Sequence, residues 1–232
     1  MAAPTVLLLH AFPLDARMWE PHRAALESAG HVVEAPNLPG EAVEVGFDAW
    51  ARRILAEVVG ELVPVGCSMG GYLVFELWRQ APERIRALAL LDSRATPDTP
   101  EQRQGRDDSI RLLGEAGFEP FWEGLAPRLF APDADAEVVA RARAIAADQG
   151  LNGLVAALET LRDRPDSRET LATIDVPVLV AVGEHDVLTP PADAEDMAAR
   201  IPGARFLRVA GAGHLAPVER PNEVTQALLE FL

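Results

Sequence analysis

One stretch restricts the folds open to this chain more than any other: Val63-Pro64-Val65-Gly66-Cys67-Ser68-Met69-Gly70-Gly71. An apolar run ends in a serine with glycines two positions before and two after, and an amphipathic pattern carrying Leu73, Leu77 and Trp78 follows at once. A chain that passes from strand to helix in so few residues crowds its own backbone, so Gly66 and Gly70 must lack side chains. Such a turn lifts the serine hydroxyl above the sheet edge. The helix that begins there aims backbone N–H groups and its positive dipole end at the same point. Gly-x-Ser-x-Gly also occurs in ordinary turns, so it gains meaning only from what the remaining chain supplies.

The rest of the first half repeats one rhythm. Short, unbroken apolar runs predict strands at 6–9, 32–35, 62–67 and 87–91, the pattern of parallel strands buried on both faces. Between them lie helical patterns. The first has Pro21 in its first turn, Leu26 on its apolar side and Gly30 as its stop; the second carries Ala51, Ile54, Leu55 and Val58, with Asp48 as its expected cap; the third spans 69–80. This alternation predicts βαβ units around a parallel sheet. From about 96 to 166 only helical patterns occur, opened by the capping box Thr99-Pro100-Glu101-Gln102, with Gly117 and Gly150 as stops. Val138, Val139, Ala142, Ile145 and Ala146 form one apolar face, whereas Pro120 and Pro127 are expected to break the segment holding Phe118, Phe121, Trp122 and Phe130. Strands then resume at 176–182 and 206–209, joined by a helix at 191–201 and followed by a last helix carrying Val224, Leu228 and Leu229. The expected architecture is α/β: a predominantly parallel sheet of about six strands flanked by helices, with residues 1–95 and 167–232 as core and 96–166 as an inserted helical cap.

Composition removes several chemistries. All 21 basic residues are arginine, so no lysine is present to form a Schiff base, a phosphate-binding loop or a Ser-Lys dyad. A nucleophilic serine must therefore rely on histidine. A net charge of -15 opposes binding to nucleic acid or an anionic membrane, which leaves small molecules as expected partners. Cys67 is the single cysteine, which permits no disulfide within the chain and suits a reducing compartment. It reads as an inert, packed thiol. No basic leader precedes residues 6–9 and no apolar run is long enough to span a bilayer, so the expected location is cytoplasmic, as a monomer or homodimer. No His-Glu-x-x-His or comparable spacing predicts a metal, and no cofactor is expected.

Parallel strands place their carboxyl ends on one edge of the sheet, where open α/β folds form ligand crevices. His10-Ala11-Phe12, Ser68, Asp92, Asp186 and His214 all follow predicted strands. A serine alcohol needs an imidazole to take its proton, and a carboxylate to hold that imidazole in the right tautomer. Ser68, Asp186 and His214 supply these groups. Asp92 is a second acid at the same edge, and Asp186 has the other reading of a turn cap before Pro190. His10 is expected to brace its loop, His185 to be a bystander, and His22 and His31 to lie on a helix surface and at a strand edge.

Leu7-Leu8-Leu9-His10-Ala11-Phe12-Pro13, Gly66-Cys67-Ser68-Met69-Gly70-Gly71, Gly183-Glu184-His185-Asp186 and Gly213-His214 together resemble the α/β-hydrolase fold family, over nearly the whole chain and in that family's order. Similarity to its compact bacterial carboxylesterases implies hydrolysis of small or medium ester substrates through an acyl-enzyme. Ser68 would be the nucleophile, His214 the proton shuttle and Asp186 its orienting acid, with an oxyanion hole at the backbone N–H groups of Phe12 and Met69. Lactonase, C–C hydrolase, perhydrolase or haloperoxidase, and thioesterase chemistry can use the same triad, and a non-catalytic receptor is a further possibility of the fold. Trp122 and Phe121 are candidates for the substrate pocket. Arg94 either meets a substrate carboxylate or pairs with a neighbouring acid. Two departures stand out: Ala11 where the family usually has glycine, and Asn37-Leu38-Pro39-Gly40-Glu41, which lacks the usual basic or second-glycine pattern.

Overall fold

The computed structural model describes residues 3–38 and 45–232. Its sheet has six strands, β1 (Thr5–Leu9), β2 (Val32–Glu34), β3 (Leu62–Cys67), β4 (Leu88–Leu91), β5 (Val178–Gly183) and β6 (Arg205–Val209), ordered β2-β1-β3-β4-β5-β6 and all parallel. Register explains how distant residues meet. Leu9 pairs with Gly66, Cys67 with Leu91, Leu91 with Ala181 and Gly183 with Val209, so the loops after these strands leave the sheet at one level.

The apolar runs are unbroken because both faces of the sheet are covered. Leu7 and Leu9 of β1 join one core with the helices α2 (Phe47–Glu57) and α3 (Met69–Gln80). Val6 and Leu8 join the other with α1 (Glu20–Ser28). Each fully buried side chain of this size contributes about 1.5–3 kcal/mol relative to exposure. The α2 cap differs from expectation. Gly46 holds that position, and Asp48 lies in the first turn, where it meets the positive helix end and pairs with Arg52 at 2.9 Å. The sequence feature at Pro39, Gly40 and Glu41 lies outside the described residues.

Between β4 and β5 stand four long helices, α4 (Pro100–Ala116), α5 (Phe118–Leu129), α6 (Ala136–Ala147) and α7 (Gly150–Arg162), followed by the short α8 (Arg168–Leu171). The capping box at Thr99 and Gln102 forms as read, and Gly117 ends α4 with a φ of 81°. Gly150, with a φ of 66°, lies two residues after the Asp148 cap of α6 and heads α7. The expected break at Pro120 and Pro127 does not occur. Pro120 occupies the third position of α5, where an N–H would have no intrahelical acceptor, and Pro127 falls in the last turn, where one lost bond is tolerated. The chain closes with α9 (Pro191–Arg200), the short α10 (Ala216–Glu219) and α11 (Pro221–Phe231), whose Val224 and Leu228 cover the α1 side of the sheet.

Candidate active site

Ser68 occupies the turn between β3 and α3 with φ 51° and ψ -109°, a conformation that costs of the order of 1–3 kcal/mol. Neighbouring strands hold it there. Its N–H donates to the Leu91 carbonyl at 2.8 Å, and its own carbonyl accepts from Gly71 N–H at 2.9 Å and Ser93 Oγ at 3.1 Å. The flanking glycines are sterically required: a Cβ on Gly66 would lie 2.3 Å from the Gly70 carbonyl oxygen, and one on Gly70 would lie 2.1 Å from that of Leu9. The serine is nevertheless only 8% exposed, less than its place at a sheet edge implies, because residues of the inserted helices line the cavity in which it lies.

Three side chains predicted from scattered loops form one hydrogen-bonded chain. His214 Nε2 lies 2.8 Å from Ser68 Oγ, and His214 Nδ1 lies 2.8 Å from Asp186 Oδ2. All three residues are buried. Asp186 also caps its own turn: Oδ1 accepts Leu188 N–H at 2.8 Å and Thr189 N–H at 2.9 Å, and Oδ2 accepts Thr189 Oγ1–H at 2.6 Å. Asp186 thus caps its own turn and also lies within hydrogen-bond distance of His214. Burial pushes the Asp186 carboxyl up, but the His214 charge, the His214 hydrogen bond and the Thr189 donors together outweigh it, leaving the group below its ordinary value. Thr189 is the member of this group that sequence reasoning missed. An Asp-x-x-Thr spacing, which lets a side chain bond three residues back, is the signal that marks it.

Asp92 is at the same edge but is not one of the side-chain hydrogen-bond partners that His214 has among the described residues, which are Ser68, Asp186 and Thr189. Its Oδ1 accepts Gly183 N–H at 2.8 Å and its Oδ2 accepts Ala216 N–H at 3.1 Å, so it ties the end of β5 to the segment after His214. Burial first, then the charge of Asp186, pushes its carboxyl well up. Glu219 makes a comparable tie, accepting from Gly213 N–H and Ala131 N–H at 2.8 Å each. Cys67 is buried, with its thiol pushed well up by burial, and faces Asp92 at 3.8 Å.

His10 joins two loops: Nδ1 meets the Ala11 carbonyl at 3.1 Å, and Nε2 accepts Leu38 N–H at 2.8 Å. Burial lowers its pKa to about 4, which keeps it neutral. Ala11 needs no glycine, since it lies outside the positive-φ region and its N–H reaches Met18 Sδ at 3.2 Å. His22 corrects the reading of a surface residue. It is fully buried, edge-on to Trp19 at 5.1 Å, with neither ring nitrogen hydrogen-bonded among the described residues, and burial lowers its pKa to about 4.

Ser68 and His214 open into a cavity of about 300 Å³, near the small end for ligand sites. Phe12, Tyr72, Phe121, Leu125, Leu129 and Leu158 make its apolar wall, the hydrogen-bonded group Arg94, Asp98, Gln102 and Arg106 makes a polar end, and Arg128 is also among the lining residues. Phe121 and Arg94 thus reach the cavity as sequence suggested. Trp122 does not line it; it stacks on Phe118 at 6.0 Å, meets Phe130 edge-on at 6.3 Å and knits the insertion to the core. Among the described residues no cluster of three or more His, Cys, Asp or Glu is arranged to hold a metal ion, and no helix is long and apolar enough to cross a membrane.

Comparison with known proteins agrees with this architecture. A thermophilic esterase from Thermogutta terrifontis, solved with malate bound, is 34% identical and superposes with a TM-score of 0.91 over 99% of this chain and 89% of its own. A pimeloyl-[acyl-carrier protein] methyl ester esterase from Aromatoleum aromaticum is 27% identical over 96% of both chains. The enol-lactonase from Burkholderia xenovorans LB400 is 25% identical, with a TM-score of 0.85 over 100% of this chain and 92% of its own. The model of the alpha/beta hydrolase family matches residues 6–227, and with the parallel sheet and the strand-turn-helix serine this makes the chain a member of that family.

Proposed function

We propose that the protein is a serine hydrolase of small or medium carboxylic esters. One observation carries the reading: the His214 imidazole lies 2.8 Å from both Ser68 Oγ and Asp186 Oδ2, at the wall of a cavity lined by both apolar and polar side chains. In that arrangement Asp186 accepts the Nδ1–H, which leaves the Nε2 lone pair directed at the serine hydroxyl. Ser68 Oγ attacks the ester carbonyl as His214 takes its proton. The tetrahedral oxyanion collapses, the carbonyl–alkoxy bond breaks and His214 returns the proton to the departing alcohol. Water, deprotonated by the same imidazole, then cleaves the acyl-enzyme and releases the acid.

The oxyanion donors are assigned to the backbone N–H groups of Met69 and Phe12. Met69 heads α3, where an N–H has no intrahelical acceptor, and Phe12 lines the cavity beside Ser68. Losing such a donor typically costs about a hundredfold or more in rate. The helices α4, α5 and α7 act as a cap that shapes the acyl or alcohol site through Phe121, Leu125 and Leu158. Two of the compared relatives are named as esterases, which favours esters over other acyl substrates.

The test is direct. The purified protein should cleave nitrophenyl esters and be labelled by a serine-directed phosphonate, and Ser68→Ala should lose both properties. An alanine variant that kept full activity would remove Ser68 from the mechanism.

A further inference from the structure

The polar end of the cavity has more positive charge than its own structure consumes. Asp98, whose side chain is fully buried, is shared by three arginines: Arg164 Nη1 donates to Oδ1 at 2.6 Å, Arg94 Nη2 to Oδ1 at 3.1 Å and Arg106 Nε to Oδ2 at 3.2 Å. Arg164 is fully engaged, because it also donates to the carbonyls of Thr96 and Leu161 and lies over the Tyr72 ring at 4.5 Å. The other two are not. Arg94 Nη2 also meets Gln102 Oε1 at 3.0 Å, but its Nε is buried with no acceptor among the described residues, and Nη1 is no closer than 4.0 Å to Asp193. Arg106 uses only Nε, leaving its two terminal nitrogens with no acceptor among the described residues. Arg128, from the end of α5, adds a third guanidinium to the lining and is exposed without an ion pair among the described residues.

The negative groups nearby do not cancel this. Glu101 also lines the cavity but is exposed and engaged by Thr99 Oγ1 at 2.8 Å, and Asp193 is 41% exposed at its side chain. Counting Arg94, Arg106, Arg128 and Arg164 against Asp98, Glu101 and Asp193 leaves one net positive charge, in a chain whose total is -15. The Arg106 side chain is 27% exposed and keeps two terminal nitrogens that a carboxylate can engage in parallel, whereas the Arg94 Nε is too buried to be met from the cavity.

We propose that the substrate is an ester bearing a free carboxylate, held by Arg94 and Arg106 at the polar end while the ester carbonyl meets Ser68. The inference rests on the serine-hydrolase reading above. Asp98 acts here as a positioning residue, holding Arg94 through Nη2 and Arg106 through Nε, which leaves both terminal nitrogens of Arg106 without an acceptor among the described residues. With about 300 Å³ available, the substrate class is small: a monoester of a short dicarboxylic acid, or a short acyl ester of a hydroxy acid.

Two substrate pairs test the idea, one for each side of the ester. Nitrophenyl hydrogen glutarate is compared with nitrophenyl valerate, and the acetate of hydroxybenzoate with the acetate of cresol. In at least one pair the acid should be preferred about tenfold or more in kcat/KM, carried mainly by KM, as a charge-assisted contact made in both ground and transition states requires. Arg106→Gln should pull that ratio towards one by losing far more on the acid than on its neutral partner, and Arg128→Gln, at an exposed position, gives a second readout that does not depend on the buried cluster. Neutral esters cleaved as well as or better than acids in both pairs would overturn the inference while leaving the hydrolase reading intact. A ratio unmoved by Arg106→Gln, in a variant that still labels with the phosphonate, would also overturn it, whatever Arg128→Gln does. Cleavage of no ester, with no phosphonate labelling, would overturn both.

Discussion

Replacing Asp186 by asparagine tests the proposed mechanism at its most specific point, because the surrounding donors dictate how the new amide must sit. Two backbone N–H groups, of Leu188 and Thr189, point at Oδ1 from 2.8 and 2.9 Å, so the amide carbonyl must take that place. Its NH2 group then occupies the site of Oδ2, facing His214 Nδ1 at 2.8 Å and Thr189 Oγ1 at 2.6 Å. An amide N–H there is a donor and forces Nδ1 to accept, which moves the imidazole proton to Nε2 and removes the base from Ser68. The geometry survives while the tautomer is wrong, a change that lowers turnover by about 10⁴ in the serine protease case. A loss of 10³–10⁴ in kcat, with an unchanged unfolding midpoint and far slower phosphonate labelling, is expected here by the same reasoning. Asp92→Asn is the control. Its two oxygens accept from Gly183 and Ala216 backbone N–H groups, so one of these donors faces an NH2 group, at a cost of about 1–3 kcal/mol in stability and little in turnover. If Asp186→Asn stayed within tenfold of the wild type while Asp92→Asn lost orders of magnitude, the assignment of the acid would be refuted.

Two further substitutions probe the scaffold. His22 has a folded pKa of about 4 against an ordinary 6.5, so the unfolded chain takes up its proton first as pH falls; the stability this neutral ring permits above pH 6.5 declines towards pH 4 by up to about 3 kcal/mol. His22→Leu should therefore gain on the wild type steadily from pH 7 to pH 4 in urea titrations, with His10 common to both, and a difference constant over that range would count against the buried neutral ring. Gly70→Ala places a Cβ 2.1 Å from the Leu9 carbonyl oxygen, backbone against backbone, so β1 and the turn must separate. Loss of about 3 kcal/mol or more, or failure to accumulate as folded protein, is expected, and a variant with wild-type thermal midpoint and labelling rate would show that the turn has room it does not display.

What was legible in sequence, and what was not, divides along a physical line. The turn at Ser68 could be read because steric crowding of one short segment fixes the residue types at Gly66 and Gly70, and the positions of Asp186 and His214 could be read because parallel strands end at a common edge. Where several residues satisfied the same topological condition, topology alone could not choose between them: Asp92 and Asp186 both follow strands, and only the directions of the Gly183, Ala216 and Thr189 donors assign one to the backbone and the other to His214. The same limit separates Phe121 from Trp122. Adjacent positions on a helix point about 100° apart, and both faces of α5 are apolar, one toward the cavity and one toward Phe118 and Phe130. His22 was misread because a polar side chain is assigned to the surface unless a partner is visible, and this ring is buried among the described residues without one.

The arginine end of the cavity was hidden for a deeper reason. Gln102, Gly105, Arg106 and Ser109 recur at three- and four-residue spacing along α4, and a polar stripe of that kind ordinarily marks the side of a helix that faces water. Here the stripe faces the cavity above Ser68, as a helix lying over a binding site requires: its inward face must be wet enough to meet a substrate, so binding reverses the usual meaning of amphipathicity. Burial distinguishes the two cases. A solvated arginine needs no fixed partner, whereas Arg94, with a side chain 11% exposed and its Nε unpaired, has given up water without replacing it. Arg106 bonds through Nε alone and keeps two terminal nitrogens without an acceptor among the described residues, and these are the N–H groups that a substrate carboxylate would engage under the proposed reading.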